Sequence, residues 1–387
     1  PALPTGGAVV VAQYLARREA GNAKLASKQL LYTMTAVSVF LMAAALLFRQ
    51  HILSLIFGHV EADVMESALV YFLITAAAYP FMGVYNAGSA LFRAMGNSSV
   101  SMFCSLVVNV INIAVNAIFI YGFGMGAAGA GIGTLASRIA AAIIIMVMLN
   151  HKSNAVRVEG VFHLEFRGDM IKRILFVGIP NGLENGMFQA GKLVVLNLIA
   201  TFGTSAVAAN AIANSIAGVV NVPGTAIGLS IITVIGRCMG AGETGQAAHY
   251  TKRLVGASYV CMLVMSTGMF LFADTLVSWF NLTPQAVQMA GQVLRACAVG
   301  NVLFWPMAFT LPNSLRAAGD AVFTMGVSLC SMFACRVVLS YVMACEWGLG
   351  LGLLGVWLAM IADWVARAVL FFVRYRQGKW KKIKVIG

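Results

Sequence analysis

Charge is what this sequence has least of. Only 10% of its 387 residues are Asp, Glu, Lys or Arg, and only 13 are acidic. Soluble domains carry about 25% charged residues. With 60% hydrophobic residues, the chain reads as a polytopic, all-α membrane protein. Five His and seven Cys fall without metal-ligand or CxxC spacing, so neither a metal centre nor a disulfide framework is expected. The cysteines read as small hydrophobes. No nucleophile–His–acid set and no P-loop occur. That argues against an enzyme and against ATP-driven transport, and no cofactor is expected. Gly350-Leu-Gly-Leu-Leu-Gly355 fits GxGxxG, but it lies at a membrane turn and not after a soluble strand, so the dinucleotide reading fails.

Cations are present, and they sit between apolar runs. The net charge of +13 therefore reads as a topology signal and not as a nucleic-acid surface. Eleven apolar runs fall at about 2–16, 30–57, 64–91, 99–121, 129–149, 171–200, 206–235, 253–280, 286–314, 321–344 and 351–373. Basic connections (Arg17, Arg18, Lys24 and Lys28; Arg237, Lys252 and Arg253) alternate with an acidic one (Glu61, Asp63 and Glu66). The long 150–173 connection is mixed but net basic, with Lys152, Arg157 and Arg167 against Glu159 and Glu165. The tail holds Arg374, Arg376, Lys379, Lys381, Lys382 and Lys384. The positive-inside rule puts these basic segments, and the C-terminus, in the cytoplasm of a bacterial inner-membrane protein. Trp380 among the tail lysines suits a rest on anionic lipid, and a plain solvated tail suits the same residues.

The sequence repeats. Glu19, Gly21 and Lys28 meet Glu243, Gly245 and Lys252 at an offset of 224. Leu91-Phe-Arg-Ala-Met-Gly-Asn97 meets Ser314-Leu-Arg-Ala-Ala-Gly-Asp320 at 223, and Gly129 meets Gly355 at 226. Two copies in one membrane orientation need an even number of spans each. The expected organisation is two pseudo-symmetric six-helix lobes related by an axis along the membrane normal. The N-terminal lobe is 1–150, with its first helix and part of its second absent. A linker at 151–170, the C-terminal lobe at 171–375 and a basic tail at 376–387 follow.

Glu184 is the central acid, inside the 171–200 run. A charged side chain at bilayer depth costs roughly 2.5–3.5 kcal/mol on the mildest scales, so such a residue faces a partner or a cavity. There it can hold or release a proton. Pro180, Gly182 and Gly186 flank it and allow a bend. Asn210, Asn214 and Asn221 share one face of the next run, as Asn109, Asn112 and Asn116 do of an earlier one. Each face suits either helix–helix hydrogen bonding or a cavity lining. Asp363 and Arg367, four residues apart, pair on one face. Arg138 and Arg336 are expected to snorkel or to bond carbonyls. Pro80, Pro306 and Pro312 break their runs.

The motifs Val11-Ala-Gln-Tyr-Leu-Ala16 with Glu19-Ala-Gly, the paired Leu-x-Arg-Ala-x-Gly turns around Arg93 and Arg316, and Ile179-Pro-x-x-x-x-Glu-x-x-x-Phe188 together resemble the MATE multidrug exporters. The resemblance implies a V-shaped, two-lobed transporter acting as a monomer. It implies secondary antiport, with cationic amphipathic drugs leaving in exchange for H⁺ or Na⁺. Glu184 matches the family's seventh-helix glutamate. The binding residues expected are Glu184, Asn181, Phe188, Asn210, Asn214 and Asn221. No acid stands near Phe304, Trp305 and Met307, where some sodium-coupled members carry one. The competing expectation is a flippase for a lipid-linked oligosaccharide, or a metabolite exporter, on a related fold. A flippase needs Arg and Lys in its cavity for pyrophosphate.

Overall fold

The computed structural model describes residues 3–57, 62–151, 154–158, 165–383 and 385–386. Glu61, Lys152, Glu159 and Lys384 of the charges above lie outside them. The described residues are helical, and the chain divides into two compact units, Leu3–Leu175 and Phe176–Gly387.

The first unit holds α1 (Leu3–Ala16), α2 (Ala20–Leu47), α3 (Arg49–Phe57), α4 (Ala62–Ala77), α5 (Tyr79–Met95), α6 (Ser98–Ala117) and α7 (Gly126–Leu149). A π-helical turn, Ile118–Gly122, extends α6. Helix α5 packs on α1, α2 and α7, and α6 packs along α7. Helix α8 (Gly168–Ala200) runs from the first unit into the second, continuous through Pro180.

The second unit continues with α9 (Thr204–Val220), α10 (Val222–Gly240), α11 (Thr244–Leu271), α12 (Ala273–Ser278) and α13 (Pro284–Leu303). Then come a π turn at Pro306–Thr310, α14 (Leu311–Ala317), α15 (Ala321–Ser331), a π turn at Met332–Val338, α16 (Leu339–Ala344) and α17 (Gly352–Arg376). Helix α13 packs against α9, α11 and α17. The 206–235 run, read as one span, is two helices meeting at Asn221, where Pro223 opens the second.

Seven described helices are long and apolar enough to cross a bilayer. The number is nine if the bent pairs α4–α5 (43°) and α13–α14 (62°) each count as one span. The second bend follows from Pro306, which has no N–H to donate into the ladder. The chain is therefore a multi-pass membrane protein.

Local chemistry repeats between the units. Glu19 and Glu243 precede α2 and α11 with φ −87°, ψ 66° and φ −84°, ψ 66°. Both helices run 28 residues, to Phe48 and Phe272. Helices α5 and α14 end at Gly96 (φ 84°) and Gly319 (φ 98°). There Asn97 donates to the Phe92 carbonyl and Asp320 to the Leu315 carbonyl, each at 2.9 Å. This cap needs a left-handed residue, which glycine supplies without a Cβ penalty.

The tail folds back. Trp380 is buried, stacks on Tyr375 at 5.4 Å and donates to the Tyr375 carbonyl. Its ring packs within the chain, while Lys379, Lys381 and Lys382 beside it are exposed.

Candidate functional site

Two polar centres sit in the second unit, and α8 serves both. Spacings of four put Glu184, Phe188 and Lys192 on one face of that helix.

The first centre is an ion pair. Arg316 Nη2 donates to Glu184 Oε1 at 2.6 Å and to Oε2 at 2.8 Å, and Arg316 Nη1 donates to Asn313 Oδ1 at 2.8 Å. Both charged side chains are nearly buried, at 11% and 10% exposed. Arg316 occupies the last turn of α14, where the helix dipole favours a cation. Charge-assisted bonds of this kind are about twice as strong as neutral ones. Asn181 is buried one turn before Glu184, and its carbonyl accepts from Asn185 Nδ2 at 2.9 Å.

The second centre surrounds Phe188. Its ring lies 5.0 Å from Lys192 Nζ, 4.9 Å from the Arg336 guanidinium carbon and 5.6 Å from that of Arg367. Arg367 Nε donates to Asp363 Oδ1 at 2.8 Å, and both residues are fully buried. The pairing read from their spacing is present. Arg336 departs from expectation. Instead of snorkelling or bonding a carbonyl, it is buried, stacks on Phe188 and donates to Met360 Sδ at 3.1 Å. A thioether is a weak acceptor. The π turn Met332–Val338 carries Arg336, and such turns are frequent at functional sites.

Two adjoining cavities open beside this ring. One of about 320 Å³ is lined by Phe188, Lys192, Asn214, Asn221, Arg336 and Trp364, among others. A second of about 260 Å³ shares Lys192, Asn214 and Arg336 with it and adds Asn210. Asn214 Nδ2 donates to Asn210 O at 2.8 Å, and Trp357 Nε1 donates to Asn210 Oδ1 at 3.1 Å.

The structure thus splits the six expected residues. Phe188, Asn210, Asn214 and Asn221 meet at the cavities. Glu184 and Asn181 do not line them. Glu184 belongs to the Arg316 centre, and Asn181 pairs with Asn185 along α8. Sequence reasoning used Arg316 only as a repeat marker and gave Lys192 no role. The spacing of Lys192 from Glu184 and Phe188 was the signal that could have found it. In the first unit, Asn116 donates to Asn112 Oδ1 at 3.2 Å, and Asn112 donates to Ser137 Oγ at 3.3 Å. Of that face, Asn112 makes the bond between helices, and the Asn116 bond stays within α6.

Comparison with known proteins supports the same architecture. The chain is 26% identical to the uncharacterized transporter YisQ of Bacillus subtilis, over 98% of this chain and 83% of that protein. It is 26% identical to the probable multidrug resistance protein NorM of Thermotoga maritima, over 95% of this chain and 79% of that protein. A solved outward-facing multidrug resistance MATE family transporter of the MOP superfamily superposes with a TM-score of 0.90. That match has 20% identity and covers 99% of this chain and 85% of that one. The MatE family model matches residues 2–118 and 180–342. With that match across most of its length, the chain belongs to the MatE family of membrane transporters.

Proposed function

We propose that this chain is a secondary active antiporter that exports amphipathic organic compounds, with Glu184 as its coupling carboxylate. The observation that carries this reading is the Glu184–Arg316 pair. It ties α8 to the segment that follows the 62° bend. A proton or Na⁺ that neutralises Glu184 removes the charge that holds Arg316. The bent segment is then released from α8, and the carboxylate changes partner. An organic cation and the coupling ion compete for one carboxylate, and exchange follows from that competition. Relatives named as multidrug resistance proteins support the drug class. In this reading the basic tail faces the cytoplasm of the plasma membrane, and the two units are the paired lobes of the repeat.

The test is ethidium efflux from proteoliposomes under an imposed H⁺ or Na⁺ gradient. Wild-type protein is expected to respond to one gradient, and Glu184→Gln to lose that response. Full, gradient-driven efflux by Glu184→Gln would sink the coupling role. A second reading has one observation in its favour: Lys192 and Arg336 on the cavity wall suit an anionic head group, as a flippase or metabolite exporter requires.

A further inference from the structure

From the charge around Phe188 we infer a binding site for a small organic anion, an aryl carboxylate or sulfonate, in the cavity shared by Lys192 and Arg336. It is distinct from the Glu184 centre.

The charge count comes first. Lys192, Arg336 and Arg367 all lie within 6 Å of one ring. Asp363 is the carboxylate of this group, and it is bonded to Arg367. Neither Lys192 nor Arg336 forms an ion pair with a described residue. Among the described residues lining the two cavities, Lys192 and Arg336 are the charged ones, and no acid is present. Arg336 is a buried cation, and in an apolar setting it calls for a counter-charge. A ring face and a thioether supply little of it. Asp363 supplies part of it, shared with Arg367, and an anion in the cavity supplies the rest.

The donors come second. Arg336 presents a fork of N–H groups suited to a planar carboxylate or to sulfonate oxygens. Lys192 is exposed, a point charge at the rim that can follow a ligand. Trp364 lines the same cavity with its ring, and its Nε1 is buried away from the opening.

The walls come third. Trp305, Phe309, Trp357 and Trp364 give the larger cavity an aromatic lining. Aromatic walls favour offset or edge contact with a ligand ring. A volume of about 320 Å³ stands at the small end of ligand pockets, suited to one or two fused rings.

The test uses the purified chain in detergent, with no gradient, and reads quenching of its tryptophans. The probes are 1-naphthalenesulfonate and its cationic counterpart, 1-naphthyl-trimethylammonium. Wild-type protein is expected to bind the sulfonate at least about tenfold more tightly than the cation. Lys192→Gln is expected to weaken sulfonate binding about tenfold, the loss of one charge-assisted contact. Lys192→Glu is expected to invert the preference. Lys192 is exposed, so these variants keep the fold. Arg336→Lys tests the fork: charge is retained, and sulfonate binding weakens while the fold holds. Tighter binding of the cation by wild-type protein overturns the proposal, as does sulfonate binding that Lys192→Gln leaves unchanged. Because binding is read without transport, sulfonate binding with no gradient-driven efflux supports this site and counts against the exporter reading alone.

Discussion

In the first unit, Ser137 on α7 accepts a hydrogen bond from Asn112 of α6. Counting on by 226, the offset of the Gly129–Gly355 match, the position of Ser137 is Asp363 and that of Ala141 is Arg367. A neutral contact in one unit stands where a buried ion pair stands in the other. The caps tell the opposite story. Glu19 matches Glu243, Gly96 matches Gly319, and Gly124 and Gly126 (φ 65° and 51°) match Gly350 and Gly352 (φ 63° and 55°). Turn geometry is shared because each cap is decided by a few adjacent residues. Buried charge is not shared because each ion at bilayer depth is costly unless it is used. The difference marks the second unit as the one that holds the buried charges among the described residues.

The largest test of this contrast is removal of one buried partner. Asp363→Asn leaves Arg367 without its counter-ion and is expected to cost about 3–5 kcal/mol, the usual result of orphaning a buried charge. Thermal unfolding in detergent measures it, and a drop no larger than for a surface substitution would show that the pair is not structural. Glu184→Gln is expected to destabilise by about 3 kcal/mol for the same reason. A companion Arg316→Gln should restore part of that loss, and a double-mutant cycle with no coupling energy would remove the pair from the account.

Next come the caps. Gly96→Ala and Gly319→Ala each force a Cβ into left-handed backbone, worth about 1–2 kcal/mol. Gly319→Ala is expected to cost more, because its Cβ would lie 2.5 Å from Val385 Cγ2 of the folded-back tail. Trimming Val385 to Ala should bring the two closer together, and equal losses before trimming would refute the tail contact. The smallest effect is expected at Ser137→Ala, which removes two neutral hydrogen bonds, one from Asn112 and one to the Thr134 carbonyl, at about 1 kcal/mol each. A loss there as large as at Asp363 would erase the distinction between the units.

Much of this was readable in advance. Glu184 stood out because an acid in an apolar run is rare, and Asp363 with Arg367 because a spacing of four places them side by side. The repeat offsets foretold matching caps. The split at Asn221 falls inside an apolar run where Asn221, Pro223 and Gly224 are the local marks of a break. Another feature was hidden. Arg336 is displayed by a π turn that leaves no clear mark in the residues.

By itself, then, the sequence determined an all-helical membrane chain, its repeated caps and the helix that carries its acid. Periodicity, hydropathy and turn residues are local, and one dimension records them. Only the tertiary structure decided what each charge meets. It gave Glu184 to Arg316, 132 residues away, and gathered Lys192, Arg336 and Arg367 around Phe188. Electrostatic partners are chosen by distance in space, and at low dielectric an ångström decides whether a charge is neutralised, stacked or left for a ligand.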